Sequence, residues 1–310
     1  MYAKGSNLVA DPRLEADVTM FGREMRDSRS EEELLAEAME VAAGADVIIA
    51  AMGESSEFSG ESSSRSDLRL PDVQKRLMEK LLATGKPVVM LNFSGRPTVM
   101  TWESEHVPAI LNVWFGGSEA ADAIADVVFG DVNPSGRLSA TMPRNEGQIP
   151  IYYNHFNTGR PLAKDADKFV KFRSNYLDVP VTPLYPFGYG LSYTEFKYGD
   201  IALSSDSLKD GETITATVTV TNTGRRKGDE VVQLYIRDLV GSVSRPVKEL
   251  KGFERITLNP GESRDVTFTI TPDMLKFYNF NLEYVNEPGE FDLMIGPNSS
   301  DVTTVRFNLK

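Results

Sequence analysis

The sequence predicts an α/β domain with a mostly parallel sheet, followed by an all-β sandwich. Three observations predict it. In the first half, short continuous apolar runs alternate with segments of helical period. From about residue 200 onward the period switches to two. Between the halves lies a segment rich in Pro, Gly and Tyr that keeps neither period. The chain has 310 residues, 41% of them hydrophobic, enough for two ordinary domains with a core each. The expected limits are 1–143 for the α/β domain, 144–197 for an ordered connection and 198–310 for the sandwich.

Residues 30–43, SEEELLAEAMEVAA, read as a helix. Ser30 is placed to cap it, Glu33 stands at the capping-box spacing, and Leu34, Leu35, Ala38, Met39, Val41 and Ala42 supply an apolar face. The run 47–52, VIIAAM, then reads as a strand covered on both faces. A polar loop follows, and Pro71 opens a second helix with Val73, Leu77, Leu81 and Leu82 on one face and Gly85 as its stop. KPVVMLNF and PAILNVWF are expected as the second and third strands, SEAADAIADVVFG as a helix closed by Gly130, and RLSATMP as a fourth strand. In such sheets the working loops lie at the carboxyl ends of strands. The polar loop, SGRP at 94–97 and FGGSE at 115–119 therefore converge on one edge.

In the second half, TITATVTVTNTG alternates strictly and turns at 222–224. EVVQLYIRD, KELKGFERITL, RDVTFTI, EYV and EFDLMIG follow at short intervals with NPGE and EPGE turns between them. This is the pattern of an immunoglobulin-like sandwich, and the lack of a cysteine pair favours a fibronectin-type variant. The aromatics of the connection need somewhere to pack, so it reads as ordered.

Composition removes several function classes. A net charge of −12 leaves nothing to neutralise phosphates or an anionic membrane. The absence of cysteine excludes disulfides, thiolate catalysis and zinc–sulfur sites, and His106 and His155 alone do not make a histidine-rich metal site. No apolar run reaches the length of a membrane span, and the first residues lack the apolar centre of a signal peptide. No Ser–His–Asp order or nucleophile elbow is present.

The loop GESSEFSGESSSRSDLRLP, residues 53–71, holds the chemistry. Glu54, Glu57 and Glu61 are carboxylates, with Arg65 and Asp67 close behind. Three readings stay open on the residues alone. The loop is a solvated acidic surface, or one carboxyl is a tuned general acid beside an arginine, or the oxygens ligate calcium without EF-hand spacing. SGRP and FGGSE offer backbone N–H groups to a phosphate but match no nucleotide fingerprint. His106 reads as a surface or strand-edge residue. His155, in YYNHFNTGRP, reads as a packing residue or a sugar ligand, and Trp102 and Trp114 as core or interdomain residues.

Taken together, GESSEFSGESSSRSDLRLP, GKPVVMLNFSGRP, FGDVNPSGRLSATMPRNEGQIPIYYNHFNTGRP, LYPFGYGLSYTEF, TNTGRRKGDEVVQLYIRD and SRPVKELKGFERI resemble glycoside hydrolase family 3, the β-glucosidases, bacterial periplasmic ones above all. The likeness covers essentially the whole chain. It implies a barrel, an α/β sandwich and a fibronectin type III-like domain, of which this sequence matches the second and third. The barrel, which carries the aspartate nucleophile and most of the sugar pocket, has no counterpart here. The expectation is thus a fragment, a split gene product or one part of a larger chain, inactive without its barrel.

The resemblance implies that the general acid/base is Glu61, with Glu57 as runner-up and Glu54 behind both. Arg65 and Asp67 are expected to shape the loop or a subsite edge, and His155, with Tyr152 and Tyr153, to line outer subsites or to pack. The implied activity is exo-acting, retaining hydrolysis of terminal β-D-glucosyl residues, with no cofactor and no metal. The implied partners are a β-glucoside or gluco-oligosaccharide and an N-terminal barrel in the same or a partner chain. The implied location is periplasmic or extracellular. The alternative is a non-catalytic interaction or carbohydrate-binding module, inactive without a separate barrel chain.

Overall fold

A computed structural model describes residues 1–15, 26–55, 58–162 and 169–310. Two compact units emerge: Met1–Ile124 with Pro143–Ile149, and Ala125–Met142 with Pro150–Lys310.

The first unit is built on three parallel strands in the order β1 (Ile48–Gly53), β2 (Val88–Phe93) and β3 (Ala109–Asn112). Helix α1 (Glu31–Ala43) starts on the capping box that the sequence announces: Glu33 N donates to Ser30 Oγ at 3.2 Å and Ser30 N to Glu33 Oε2 at 2.8 Å. Its other end is closed from outside the helix. Lys86 Nζ donates to the Ala42 and Ala43 carbonyls at 2.7 and 2.6 Å, satisfying groups that the last turn leaves open. Helix α2 (Asp72–Leu82) follows Pro71 and buries Val73, Leu77, Met78 and Leu81.

Ile48, Ala50 and Met52 are buried and share a face with Val88 and Met90. The opposite face departs from expectation. Ile49 is 45% exposed and Ala51 is also exposed, so β1 is not covered on both faces among the described residues. A short helix α3 (Thr101–His106), which the sequence does not announce, connects β2 to β3. Helix α4 (Ala120–Phe129) forms as expected but buries none of its residues.

The expected fourth strand, RLSATMP, is absent from the parallel sheet. Residues 137–143 instead meet the segment 184–189. Leu138 N donates to Tyr189 O at 2.8 Å, Gly188 N to Leu138 O at 2.7 Å and Met142 N to Tyr185 O at 2.9 Å. Only Met142 and Tyr185 form a β-bridge. Bends at Ser139 and Ala140 interrupt the pairing, and Pro143 and Pro186 have no N–H to extend it.

The second unit is a sandwich of antiparallel strands with one parallel pair. Strands β4 (Phe196–Leu203), β6 (Ile214–Asn222) and β9 (Ser263–Ile270) form one sheet in the order β4-β6-β9. Strands β5 (Ser207–Leu208), β7 (Gly228–Asp238), β8 (Glu249–Leu258), β12 (Gly289–Gly296) and β13 (Thr303–Leu309) form the other, in the order β5-β13-β12-β7-β8, with β5 parallel to β13. A hairpin of β10 (Phe277–Tyr278) and β11 (Tyr284–Val285) stands apart. Alternate residues of β6, Ile214, Ala216, Val218 and Val220, enter the core against Val232, Leu234, Phe291 and Phe307, as period two requires. Strand β4 begins at Phe196, ahead of the alternation that is legible from 213. Asn222 closes the β6 turn. Its Nδ2 donates to Arg226 O and Leu258 O, and its Oδ1 accepts from Thr194 Oγ1 at 2.7 Å.

Gly53 ends β1 at φ +148, and a Cβ there would lie 1.9 Å from Phe93 O, a backbone atom that cannot step aside. Gly53→Ala is expected to destabilise the first unit by at least about 2 kcal/mol. Urea unfolding followed by tryptophan fluorescence checks this, since both tryptophans, Trp102 and Trp114, belong to that unit.

Candidate functional site

The polar loop leaves the sheet through a fixed exit. Gly53 N donates to Gln74 Oε1 at 2.8 Å, and Gln74 Nε2 donates back to Gly53 O at 2.7 Å. Among the described residues β1 is an edge strand, and this buried side-chain amide from α2 substitutes for a neighbouring strand at its last residue. Glu54 N then donates to Phe93 O at 2.9 Å, so the chain stays tied to β2 one residue beyond β1.

Glu54 turns inward. Its side chain is 1% exposed. Arg65 Nη1 donates to its Oε1 at 2.6 Å and Ser94 Oγ to its Oε2 at 2.8 Å. Arg96 Nε lies 3.3 Å from Oε1 in an ion-pair contact. Arg96 Nη2 also donates to the Phe58 and Ser63 carbonyls, the latter at 3.0 Å. Arg65 Nη2 donates to Arg69 O at 3.2 Å, and its guanidinium stands 4.5 Å above the buried Phe58 ring. Both arginines are thus engaged with neighbouring protein groups.

The three loops at the carboxyl ends of the strands do meet. A Cβ on Gly95, in the loop after β2, would lie 2.7 Å from Ser59 Oγ of the first loop and 2.7 Å from Phe115 of the third. A larger residue there would have to displace the Ser59 and Phe115 side chains.

Glu61 sits in an exposed turn with Ser62 at φ +65, and among the described residues no hydrogen bond or ion pair engages its carboxyl. Glu57 lies outside the described residues. Asp67 is not joined to Arg65. It pairs with Arg69, Nη2 to Oδ2 at 2.6 Å, and this hydrogen bond holds its carboxyl down at about 2 despite some desolvation. An acid that strong keeps no proton near neutrality, so Asp67 is an anion of the loop rather than a donor.

His155 belongs to the second unit. It is exposed, with Nδ1 2.9 Å from Phe156 O and its own carbonyl accepting from Val247 N at 2.9 Å. Tyr153 in that unit is a packing residue: its ring stacks on Phe187 at 4.4 Å and meets the Tyr235 edge at 5.7 Å. Tyr152 stays half exposed.

Sequence reasoning missed Ser94, Arg96 and Gln74 as partners of the loop, because each reaches it across tens of residues. The one available signal was an arginine and a serine in the neighbouring post-strand loop, opposite an unmatched glutamate. It also missed α3, where the His106 ring stacks on Trp102 at 4.7 Å and Lys75 Nζ lies 5.1 Å from the same indole. Beneath them Glu103 is buried, and burial pushes its carboxyl above the ordinary value of 4.5.

A raised carboxyl favours the folded state most when protonated. The stability tied to Glu103 is fully present below the unfolded value near 4.5 and is lost as pH rises through the folded value. Glu103→Gln should therefore flatten the pH dependence. Measured by tryptophan-detected urea unfolding, the variant should gain on the wild type between acid and mildly alkaline pH.

Among the described residues no helix is long and apolar enough to cross a membrane, and no group of three or more metal-ligating side chains forms. The family profile described as glycosyl hydrolase family 3 C-terminal domain matches residues 5–193, and that of a fibronectin type III-like domain matches residues 230–299. The chain is 46% identical over its whole length to the periplasmic β-glucosidase of Salmonella typhimurium, covering 40% of that protein. It is 43% identical over 88% of its length to a β-xylosidase of Formosa agariphila, covering 37% of it. It superposes with a TM-score of 0.86 and 41% identity on the crystal structure of the Listeria innocua β-glucosidase in complex with glucose, over 92% of this chain and 39% of that one. The chain thus spans about two fifths of the relatives that it matches.

Proposed function

We propose, from the premise that this chain belongs to the glycosyl hydrolase family 3 C-terminal domain family, that it supplies the general acid/base of an exo-acting, retaining β-glucosidase through Glu61. One observation carries this reading. Of the two loop glutamates described, Glu54 is buried with both oxygens occupied by donors, whereas Glu61 is exposed on a turn with its carboxyl free to meet a ligand. Glu57 remains the runner-up.

In a retaining glycosidase one carboxylate attacks the anomeric carbon while a carboxylic acid gives its proton to the departing oxygen. The second group then takes a proton from water, and the two stand about 5–5.5 Å apart. Glu61 would fill the second role. Enclosure by bound sugar and repulsion from the nucleophile would hold its proton until it is needed. The nucleophile is assigned to a barrel outside this chain, in the same or a partner polypeptide, so the chain alone is proposed to be inactive. Arg65 would act by shaping the loop and Asp67 by setting the charge at its far stem. His155 would contribute a sugar contact.

The proposed substrates are terminal β-linked glucosides, and the similarity to a β-xylosidase makes β-xylosides the comparison substrate. A periplasmic or extracellular location is proposed on the similarity to the Salmonella enzyme. The proposed domain limits are 1–143, 144–197 and 198–310. The last of these limits is supported by a family match that ends at 193 and by the start of β4 at Phe196.

The test is hydrolysis of aryl β-glucosides and β-xylosides by the chain alone, and by a polypeptide that carries it together with a barrel. The chain alone should be inactive. In the longer protein Glu61→Gln should lower turnover of poor leaving groups by about 10²–10⁴-fold. Added azide should restore turnover of activated substrates by taking the place of the base-activated water. Full activity in Glu61→Gln, or turnover by the chain alone, would sink the proposal.

A further inference from the structure

We infer that Glu54 is a positioning residue, one that sets the turn carrying Glu61 by holding two arginines against the backbone on either side of it. The inference rests on the acid/base reading of Glu61 and adds what keeps that group in place.

The geometry separates the anchor from the thing anchored. Glu54 directly follows β1, and Ser94 and Arg96 follow β2, so its partners sit on the rigid ends of two paired strands. From there Arg96 reaches the carbonyls of Phe58 and Ser63, the two residues that bracket the exposed turn at 59–62. Arg65 covers Phe58 from the other side and donates to Arg69 O, which fixes the outgoing stem. One carboxylate thus stands between two largely buried guanidiniums and offsets their mutual repulsion; their side chains are 16% and 23% exposed.

Without that carboxylate, two like charges would face each other in a site shielded from water. Separation is the cheapest relief, because an uncompensated buried charge is strongly unfavourable. Separation pulls Arg96 away from Phe58 O and Ser63 O, and nothing else described ties those carbonyls. The sheet below has its own hydrogen bonds and is expected to survive. The turn above is expected to lose its register, and a displacement of about 1 Å at a proton donor can cost about 10²-fold in rate.

Hydrogen–deuterium exchange on the chain itself tests this without requiring activity. In Glu54→Gln and in Arg96→Met, amides of 58–65 should exchange at least about tenfold faster while those of β1 and β2 stay near wild type. Unchanged exchange in the turn overturns the inference. So does equal acceleration in β1 and β2, which would make Glu54 a general support of the fold.

A second readout uses the longer, barrel-bearing protein. Glu54→Gln should lose about 10–10²-fold in kcat/KM on an alkyl β-glucoside, which needs leaving-group protonation, and little on a dinitrophenyl β-glucoside, which does not. Equal loss on both substrates overturns the inference. Azide rescue of Glu54→Gln with formation of a glycosyl azide also overturns it, because Glu54 would then be the acid/base itself. If instead Glu61→Gln is fully active while the exchange result holds, the acid/base reading has failed and the clamp on the turn has not.

Discussion

The active end of the first unit depends on one buried carboxylate, Glu54, at the point where β1 becomes loop. A loop so poor in apolar side chains cannot fold by burial, so its order must come from polar contacts that outlast competition with water. Water competes poorly where the carboxylate is closed off between two arginines and a serine, two of the three held at the end of β2. The loop is therefore ordered at its stems, at Phe58, Ser63 and Arg65, and left open at its tip.

The second unit solves a related problem without disulfides. Its connection is long and aperiodic, yet it is held by residues from two well-separated strings. Asn133 Oδ1 accepts from Ser192 Oγ and Tyr193 N, and Tyr193 OH donates to Val127 O at 2.7 Å. Gly190 lies so close to Gly136 that a Cβ would stand 2.3 Å from its carbonyl. Gly188, at φ +81, is seated against Gln233, whose Nε2 donates to its carbonyl at 3.1 Å. Arg137 then meets Glu230 of β7 at 2.9 Å, and Tyr198 of β4 donates to the same carboxylate at 3.1 Å. FGDVNPSGRL and PFGYGLSYT, far apart in the primary sequence, are two sides of one contact.

Much of the architecture was legible because it is local. The capping box of α1, the helix that opens after Pro71 and the alternation of β6 each follow from neighbours within a few residues, where propensity and period act. RLSATMP misled for the converse reason. Its composition suits a strand, but its backbone groups are taken by 184–189 from far along the chain, and bends and prolines stop a ladder from growing. The exposure of Ile49 was equally hidden, since an apolar run declares its preference for burial and not whether cover exists.

The candidate site divides along the same line. The sequence by itself determined that a carboxylate-rich loop would leave the carboxyl end of a parallel strand, and that Glu54 and Glu61 would both lie in it. The residues alone left both as candidates, since both are glutamates preceded by glycine in the same polar stretch, and it was the family resemblance that put Glu61 first and Glu54 last. Only the tertiary structure decided that Glu54 is enclosed by Arg65, Ser94 and Arg96 while Glu61 stays open. The physical reason is distance along the chain. What a carboxyl group does depends on the charges and donors within a few ångströms, and here two of those three come from the loop after β2, which only the pairing of β1 with β2 brings near.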